Sequence, residues 1–166
     1  MNAAEVLAAL RSHHNTSALI PEVVIQDDYP VWAELENGHG KPYTRRIDAL
    51  MFDAGSNQRT AIEIKVSRSD VQRETWNKVQ PWRRVVHRFI YAVPAGLIER
   101  PPIYGCGLWW VHDPDPPYYP CGRVEVRKKA VIQRFPEPLP QHVIRSLAFR
   151  AAGVPLVTND DVQGGV

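Results

Sequence analysis

The chain has 166 residues, 44% hydrophobic and 23% charged, a size and balance that suit one folded domain with its own core and exclude a disordered chain. A net charge of +2 is too small to indicate nucleic acid by its total, so the placement of the charge carries more information. Cys106 and Cys121 form no C-x-x-C pair and no Cys/His cluster of zinc spacing, so they read as two buried free thiols rather than as one bridge or a metal site.

The first ten residues carry Glu5 within a short apolar run and have no basic segment, so they do not resemble a secretory leader. No stretch approaches the roughly 20 apolar residues of a membrane span. The expectation is a cytoplasmic protein. It has a single domain over residues 1–156 and a polar, Gly-rich tail over 157–166.

Residues 3–12 read as an amphipathic helix with Val6, Leu7 and Leu10 on one face. Residues 21–26 and 31–36 are strand candidates, and Asn37-Gly38-His39-Gly40 is a turn. Two further strands cover 46–53 and 60–66. Ser69 then opens a helix by a capping-box pattern with Gln72, and Pro81 should end or kink it. Strands follow at 88–93, 108–111 and 123–126, the last two joined by a Pro-rich loop over 113–120. A final helix covers 141–152. The expected fold class is α/β, with a central mixed β-sheet flanked by helices.

The strands at 46–53 and 60–66 carry the chemistry. With the intervening turn centred between Gly55 and Ser56, opposed residues have numbers summing to 111. Ile47 then faces Ile64, Ala49 faces Ile62 and Met51 faces Thr60, which gives one nearly continuous apolar face. The two-residue period puts Asp48 opposite Glu63 on the other face, with Lys65 beside them. Leu50, Phe52 and Ala61 share that face and exclude water in part. Two opposed carboxylates there repel unless something compensates. A divalent cation does so, since magnesium favours oxygen ligands and uses one or two carboxylates. Lys65 adds a point charge suited to phosphate or polarised water. A plain Asp–Glu–Lys surface network is the alternative reading of such a triad.

Basic residues surround this hairpin. Arg45 and Arg46 precede Asp48, Arg59 and Arg68 flank the second strand, and Lys78, Arg83, Arg84 and Arg88 follow, interleaved with Trp76 and Trp82. Such a pattern suits nucleic-acid phosphates and exposed bases, with Arg45, Arg46, Arg68, Lys78, Arg83 and Arg84 as the binding candidates. For the two tryptophans a core position is the favoured reading. The six histidines share no ligand spacing. Trp109 and Trp110 put one ring on each strand face.

The pattern Arg46-Ile47-Asp48, fourteen residues, then Glu63-Ile64-Lys65 resembles the PD-(D/E)xK nuclease motif. With A-I-E-I-K-V-S-R-S-D-V-Q-R-E, the later H-R-F-I-Y-A-V-P-A-G-L-I and then G-C-G-L-W-W-V, it is similar to MmcB-like and phage-encoded members of that superfamily over residues 31–112. Ile47 stands where the motif has Pro, and Val71 where an aromatic residue is more usual. The resemblance implies a restriction-endonuclease-like core with a four- or five-stranded sheet. The implied activity is a Mg2+- or Mn2+-dependent deoxyribonuclease of DNA repair, recombination or phage DNA processing. Asp48, Glu63 and Lys65 would be catalytic. Asp48, Glu63, the backbone carbonyl of Ile64 and an upstream acid would hold the metal, with Glu34 the first choice ahead of Glu36 and Glu5. Gln80 is an accessory candidate. DNA, single- or double-stranded, would be the partner, and a homo-oligomer is compatible with the chain. The alternatives are a catalytically silent nuclease fold that binds nucleic acid or a protein partner, and a nuclease of the same fold acting on RNA.

Overall fold

The structure is a computed structural model that describes residues 1–27 and 43–155. The strand expected at 31–36, the turn at 37–40, Glu34, Glu36 and the tail at 157–166 lie outside the described residues.

Helix α1 (Ala3–His13) opens the chain. Asn2 caps it by accepting from the Glu5 amide at 3.0 Å, while the Glu5 carboxylate accepts from the Asn2 amide at 2.7 Å. This reciprocal box satisfies two of the helix's unpaired N–H groups. Strands β1 (Ala18–Asp27), β2 (Tyr43–Phe52) and β3 (Arg59–Ile64) follow. Next come the short helix α2 (Arg68–Gln72) and helix α3 (Trp76–Val85). Strands β4 (Arg88–Pro94), β5 (Gly107–Val111) and β6 (Val124–Lys128) precede helix α4 (Gln141–Ala151).

The six strands form one sheet in chain order. β3, β4 and β5 run parallel, and the pairs β1–β2, β2–β3 and β5–β6 are antiparallel. The expected α/β class with a mixed, helix-flanked sheet is what the chain adopts, with six strands rather than four or five. Two cores follow from the two faces. Val6, Ala9 and Leu10 of α1 pack with Ala49, Met51, Ile62, Ile64, Ile90 and Trp109 on one side. Val79, Trp82 and Val85 of α3 and Val143 of α4 pack with Leu50, Ala61, Phe89, Tyr91 and Leu108 on the other. Trp109 and Trp110 do take opposite faces. Trp110 packs on the α3 side, donates to the Ile98 carbonyl at 2.8 Å and lies under Arg127.

Helix α2 begins two residues earlier than the sequence suggests. Ser67 is its cap, accepting from the Asp70 amide at 3.2 Å, so Ser69 is inside the helix. The break expected at Pro81 falls instead at residues 73–75, and Pro81 is buried inside α3. A proline within a helix forfeits one N–H donor. Here the cyclic side chain gains a place in the core. Cys106 is buried, as expected, but Cys121 is exposed in the loop before β6, and neither forms a disulfide. Burial pushes the Cys106 thiol up to about 11.

Trp82 ties α3 to the sheet. It is fully buried, and its indole N–H donates to the Arg45 carbonyl at 3.1 Å. Trp82→Phe keeps most of the ring packing and removes that hydrogen bond. A loss of roughly 1–2 kcal/mol in unfolding free energy is expected, read from the urea midpoint. An unchanged midpoint would mean that the bond adds nothing.

Candidate functional site

The β2–β3 pairing has the register read from the sequence. Ala49 pairs with Ile62, Leu50 with Ala61, Met51 with Thr60 and Phe52 with Arg59. Asp53 closes the turn, its Oδ1 accepting from the amides of Gly55 at 2.8 Å and Ser56 at 2.9 Å. The ladder stops at Ala49 and Ile62, one step short of the expected Asp48–Glu63 pair. At that step the Asp48 Oδ2 accepts directly from the Ile64 amide at 2.7 Å. A side chain thus replaces a backbone carbonyl where the two strands part. Beyond it the Lys65 amide bonds to the Ala92 carbonyl at 3.1 Å, so the chain stays with β4.

The β1–β2 ladder is interrupted at the same place. Pro21 pairs with Ala49 and Val23 with Ile47, with no pair between Glu22 and Asp48. Glu22 has φ of 50°, a left-handed conformation that costs a non-glycine residue on the order of 1 kcal/mol or more. Both strands change phase there. Ile20 and Val23 reach the α3-side core, as do Leu50 and Ile47, although the members of each pair are three positions apart. In a regular strand an odd spacing puts side chains on opposite faces. The expected Ile47–Ile64 contact is therefore corrected, because Ile47 belongs to the α3-side core and Ile64 to the α1-side core.

Asp48, Glu63 and Lys65 come together at this divergence. Lys65 Nζ lies 2.8 Å from Glu63 Oε1, and both side chains are largely buried. Burial raises Asp48 above the usual carboxylate range, against the Ile64 hydrogen bond and the charges of Lys65 and Arg46. Burial and then the Asp48 charge push Glu63 up to about 7. Burial disfavours the Lys65 ammonium, but its hydrogen bonds and attraction to Glu63 and Glu74 outweigh this and hold it above the ordinary lysine value. One oxygen of each carboxylate, Asp48 Oδ1 and Glu63 Oε2, has no hydrogen bond among the described residues. Two hard, partly desolvated oxygens with like charge fit Mg2+ or Mn2+. Among the described residues no third His, Cys, Asp or Glu completes a metal-binding group with them.

An open cleft of about 220 Å³ adjoins Glu63. Glu63 and Lys65 line it, together with Arg45, Arg46, Lys78 and Trp82. Three of the expected phosphate-binding residues thus share the cleft with Glu63, whereas Asp48 is not part of its lining. Arg46 also pairs with Glu22 at 3.6 Å, and Lys78 donates to the Arg73 carbonyl at 2.7 Å. The other candidates lie elsewhere. Arg68 is exposed at the start of α2 and does not line the cleft. Arg83 donates to the Tyr104 carbonyl at 2.9 Å and stacks over Trp76 at 5.3 Å. Arg84 forms a two-pronged bond to Glu137, at 3.1 and 2.7 Å. Gln80 is half-buried and not part of the lining. Arg59 sits at the far end of β3, donating to the Glu137 carbonyl. Glu5 caps α1 on the opposite side of the sheet and is not part of the cleft. The core position expected for both tryptophans holds for Trp82, whereas Trp76 is 51% exposed.

Two site residues escaped the sequence reading. The Glu74 side chain is only 4% exposed, with its Oε1 2.9 Å from Lys65 Nζ. Its Oε2 accepts from the Tyr91 hydroxyl at 3.1 Å. Burial and then the Glu74 charge raise the Tyr91 phenol, so it remains a donor. Had α2 and α3 been one helix, as expected, Glu74 would have been an interior helix position with nothing to mark it. Glu22 is the second. Its charge acts on Asp48, and only the β1–β2 register reveals the juxtaposition.

No family model matches this chain, and no curated protein does. The fold is similar to that of a protein of unknown function from Silicibacter pomeroyi. The likeness covers 92% of this chain and 88% of that one, at a TM-score of 0.61 and 16% sequence identity. At that identity it shows the fold alone. Among the described residues no helix is long and apolar enough to cross a membrane.

Proposed function

We propose that this chain is a divalent-metal-dependent nuclease that hydrolyses DNA phosphodiester bonds in repair, recombination or phage DNA processing. The observation that carries the reading is the meeting of Asp48, Glu63 and Lys65 where β2 and β3 part, beside a cleft lined by Arg45, Arg46 and Lys78. Asp48 and Glu63 would hold Mg2+ or Mn2+ by their uncommitted oxygens, with the Ile64 carbonyl as a neighbouring donor. The ion, when bound, supplies a Lewis acid for water and phosphoryl oxygen. Lys65 brings a fixed ammonium to the place where negative charge develops on phosphate. Arg45, Arg46 and Lys78 neutralise the flanking backbone and draw the strand into the cleft.

The test is incubation of the purified protein with supercoiled, linear and single-stranded DNA, and with RNA, in Mg2+, Mn2+ or chelator. DNA cutting with either metal and none with chelator is the expected result. Failure to cut any of these substrates would overturn the reading. A second reading, a silent nuclease fold that binds nucleic acid or a protein partner, draws support from the described residues, among which no group of three or more His, Cys, Asp or Glu side chains is placed to hold a metal ion. Metal-insensitive DNA binding without cutting would favour it.

A further inference from the structure

We infer that Glu74 is the positioning residue for Lys65, a buried counter-charge that keeps the ammonium in the cleft when Glu63 turns to a divalent cation. The inference rests on the nuclease reading of this site. Lys65 Nζ is shared between two carboxylates, 2.8 Å from Glu63 Oε1 and 2.9 Å from Glu74 Oε1. Only Glu63 lies beside Asp48 as a metal ligand. Once its oxygens are drawn toward a cation, Lys65 loses much of one partner and faces a like charge. Glu74 does not need to move. Its side chain is 4% exposed, and the Tyr91 hydroxyl fixes the oxygen that Lys65 does not use. Lys78 Nζ, 3.8 Å away, adds a second cation at the cleft wall.

The charge balance gives Glu74 a further consequence. When ionised, Asp48, Glu63 and Glu74 carry three negative charges and Lys65 one positive. With Lys78 beside Glu74 the set carries one net negative charge toward a divalent cation while retaining the ammonium. Without Glu74 the same set would carry none. A buried carboxylate that never touches the metal therefore lets the metal and the lysine coexist. This role differs from that of a structural ion pair, because its effect must pass through Lys65.

The experiment compares the native protein with Glu74→Gln, Lys65→Met and the double variant in Mn2+-dependent DNA cutting, with kcat and KM resolved. Glu74→Gln is expected to lower kcat roughly ten- to a hundredfold with little change in KM, as displacement of a positioned group does. The double variant should cut no more slowly than Lys65→Met alone, since both changes act through one ammonium. Additive losses would overturn the inference. A second measurement is independent of cutting: the rate at which the Lys65 amine is acylated, followed by mass spectrometry against the exposed Lys128 and Lys129. Glu74→Gln should raise that rate several-fold. An unchanged rate would overturn the positioning role whether or not the native protein cuts DNA, whereas absence of cutting by the native protein bears on the nuclease reading. If Glu74→Gln does not fold, Glu74→Asp draws the carboxylate back from Lys65 by one methylene with its charge intact, and a rise in Lys65 acylation is required of it.

Discussion

Replacing Asp48 by Asn or Glu63 by Gln is expected to lower metal-dependent DNA cutting by roughly a thousandfold, and Lys65→Ala by roughly a hundredfold, in line with removal of groups that stabilise developing charge. The choice of replacement matters. Asp48 Oδ2 is the acceptor for the Ile64 amide at 2.7 Å, in the gap where the β2–β3 ladder ends. Asp48→Ala would orphan that amide and cost roughly 1–3 kcal/mol, so lost activity would be mixed with lost stability. Asp48→Asn retains an acceptor and removes only the charge. Circular dichroism spectra of the Asn and Gln variants should overlay that of the native protein at pH 6, and neither variant should melt at a lower temperature. Mn2+ binding should fall sharply for both and survive in Lys65→Ala, because Lys65 is no ligand. Native-level cutting by all three highly purified variants would remove the site assignment.

The part of this site that sequence made legible is the part governed by alternation. Ala49, Met51 and Ile62 could be assigned to one face and Asp48 and Glu63 to the other because a strand has a period of two, and the turn around Gly55 set the register. Tertiary contacts decided the rest. The phase change at Glu22 and Asp48 depends on a positive φ at a residue that carries no mark of it, so Ile47 was assigned to the wrong face. The separation of α2 from α3 depends on Thr75 restarting the helix after Arg73, and the Pro81 signal outweighed it in the sequence reading. That misplacement hid Glu74, and it left Trp76 to be read as core when its ring opens α3 beneath Arg83. Charge alone could not sort the arginines either. Arg45 and Arg83 look alike in sequence, but one lines the cleft while the other is held by the Tyr104 carbonyl.

The stability of the native protein relative to Glu63→Gln should fall between pH 5 and pH 8. Glu63 is raised from 4.5 to about 7 by burial and the neighbouring Asp48. A group whose folded value lies above its unfolded value binds its proton more tightly when folded. Its contribution is therefore fully present below the unfolded value and is lost as pH rises through about 7. The interval between those two values corresponds to a loss on the order of 3 kcal/mol. Asp48 is also raised and adds a slope of the same sign, starting from the lower ordinary value of an aspartate. Lys65 is raised as well, but its contribution is lost only above the ordinary lysine value of 10.5, so it adds no slope in this window. Burial holds His14 and His87 below the ordinary histidine value, which gives each a slope of the opposite sign that native and Glu63→Gln proteins share. Chemical denaturation of both proteins at pH 5, 6, 7 and 8 reads the difference directly. Saturating Mn2+ should act in the opposite sense on the native protein, stabilising it more at pH 8 than at pH 6, because a cation held by ionised Glu63 must displace the proton at the lower pH. A native-minus-Glu63→Gln stability difference that stays flat from pH 5 to 8, or an Mn2+ effect no larger at pH 8 than at pH 6, would mean that Glu63 is not a strained acid awaiting a cation.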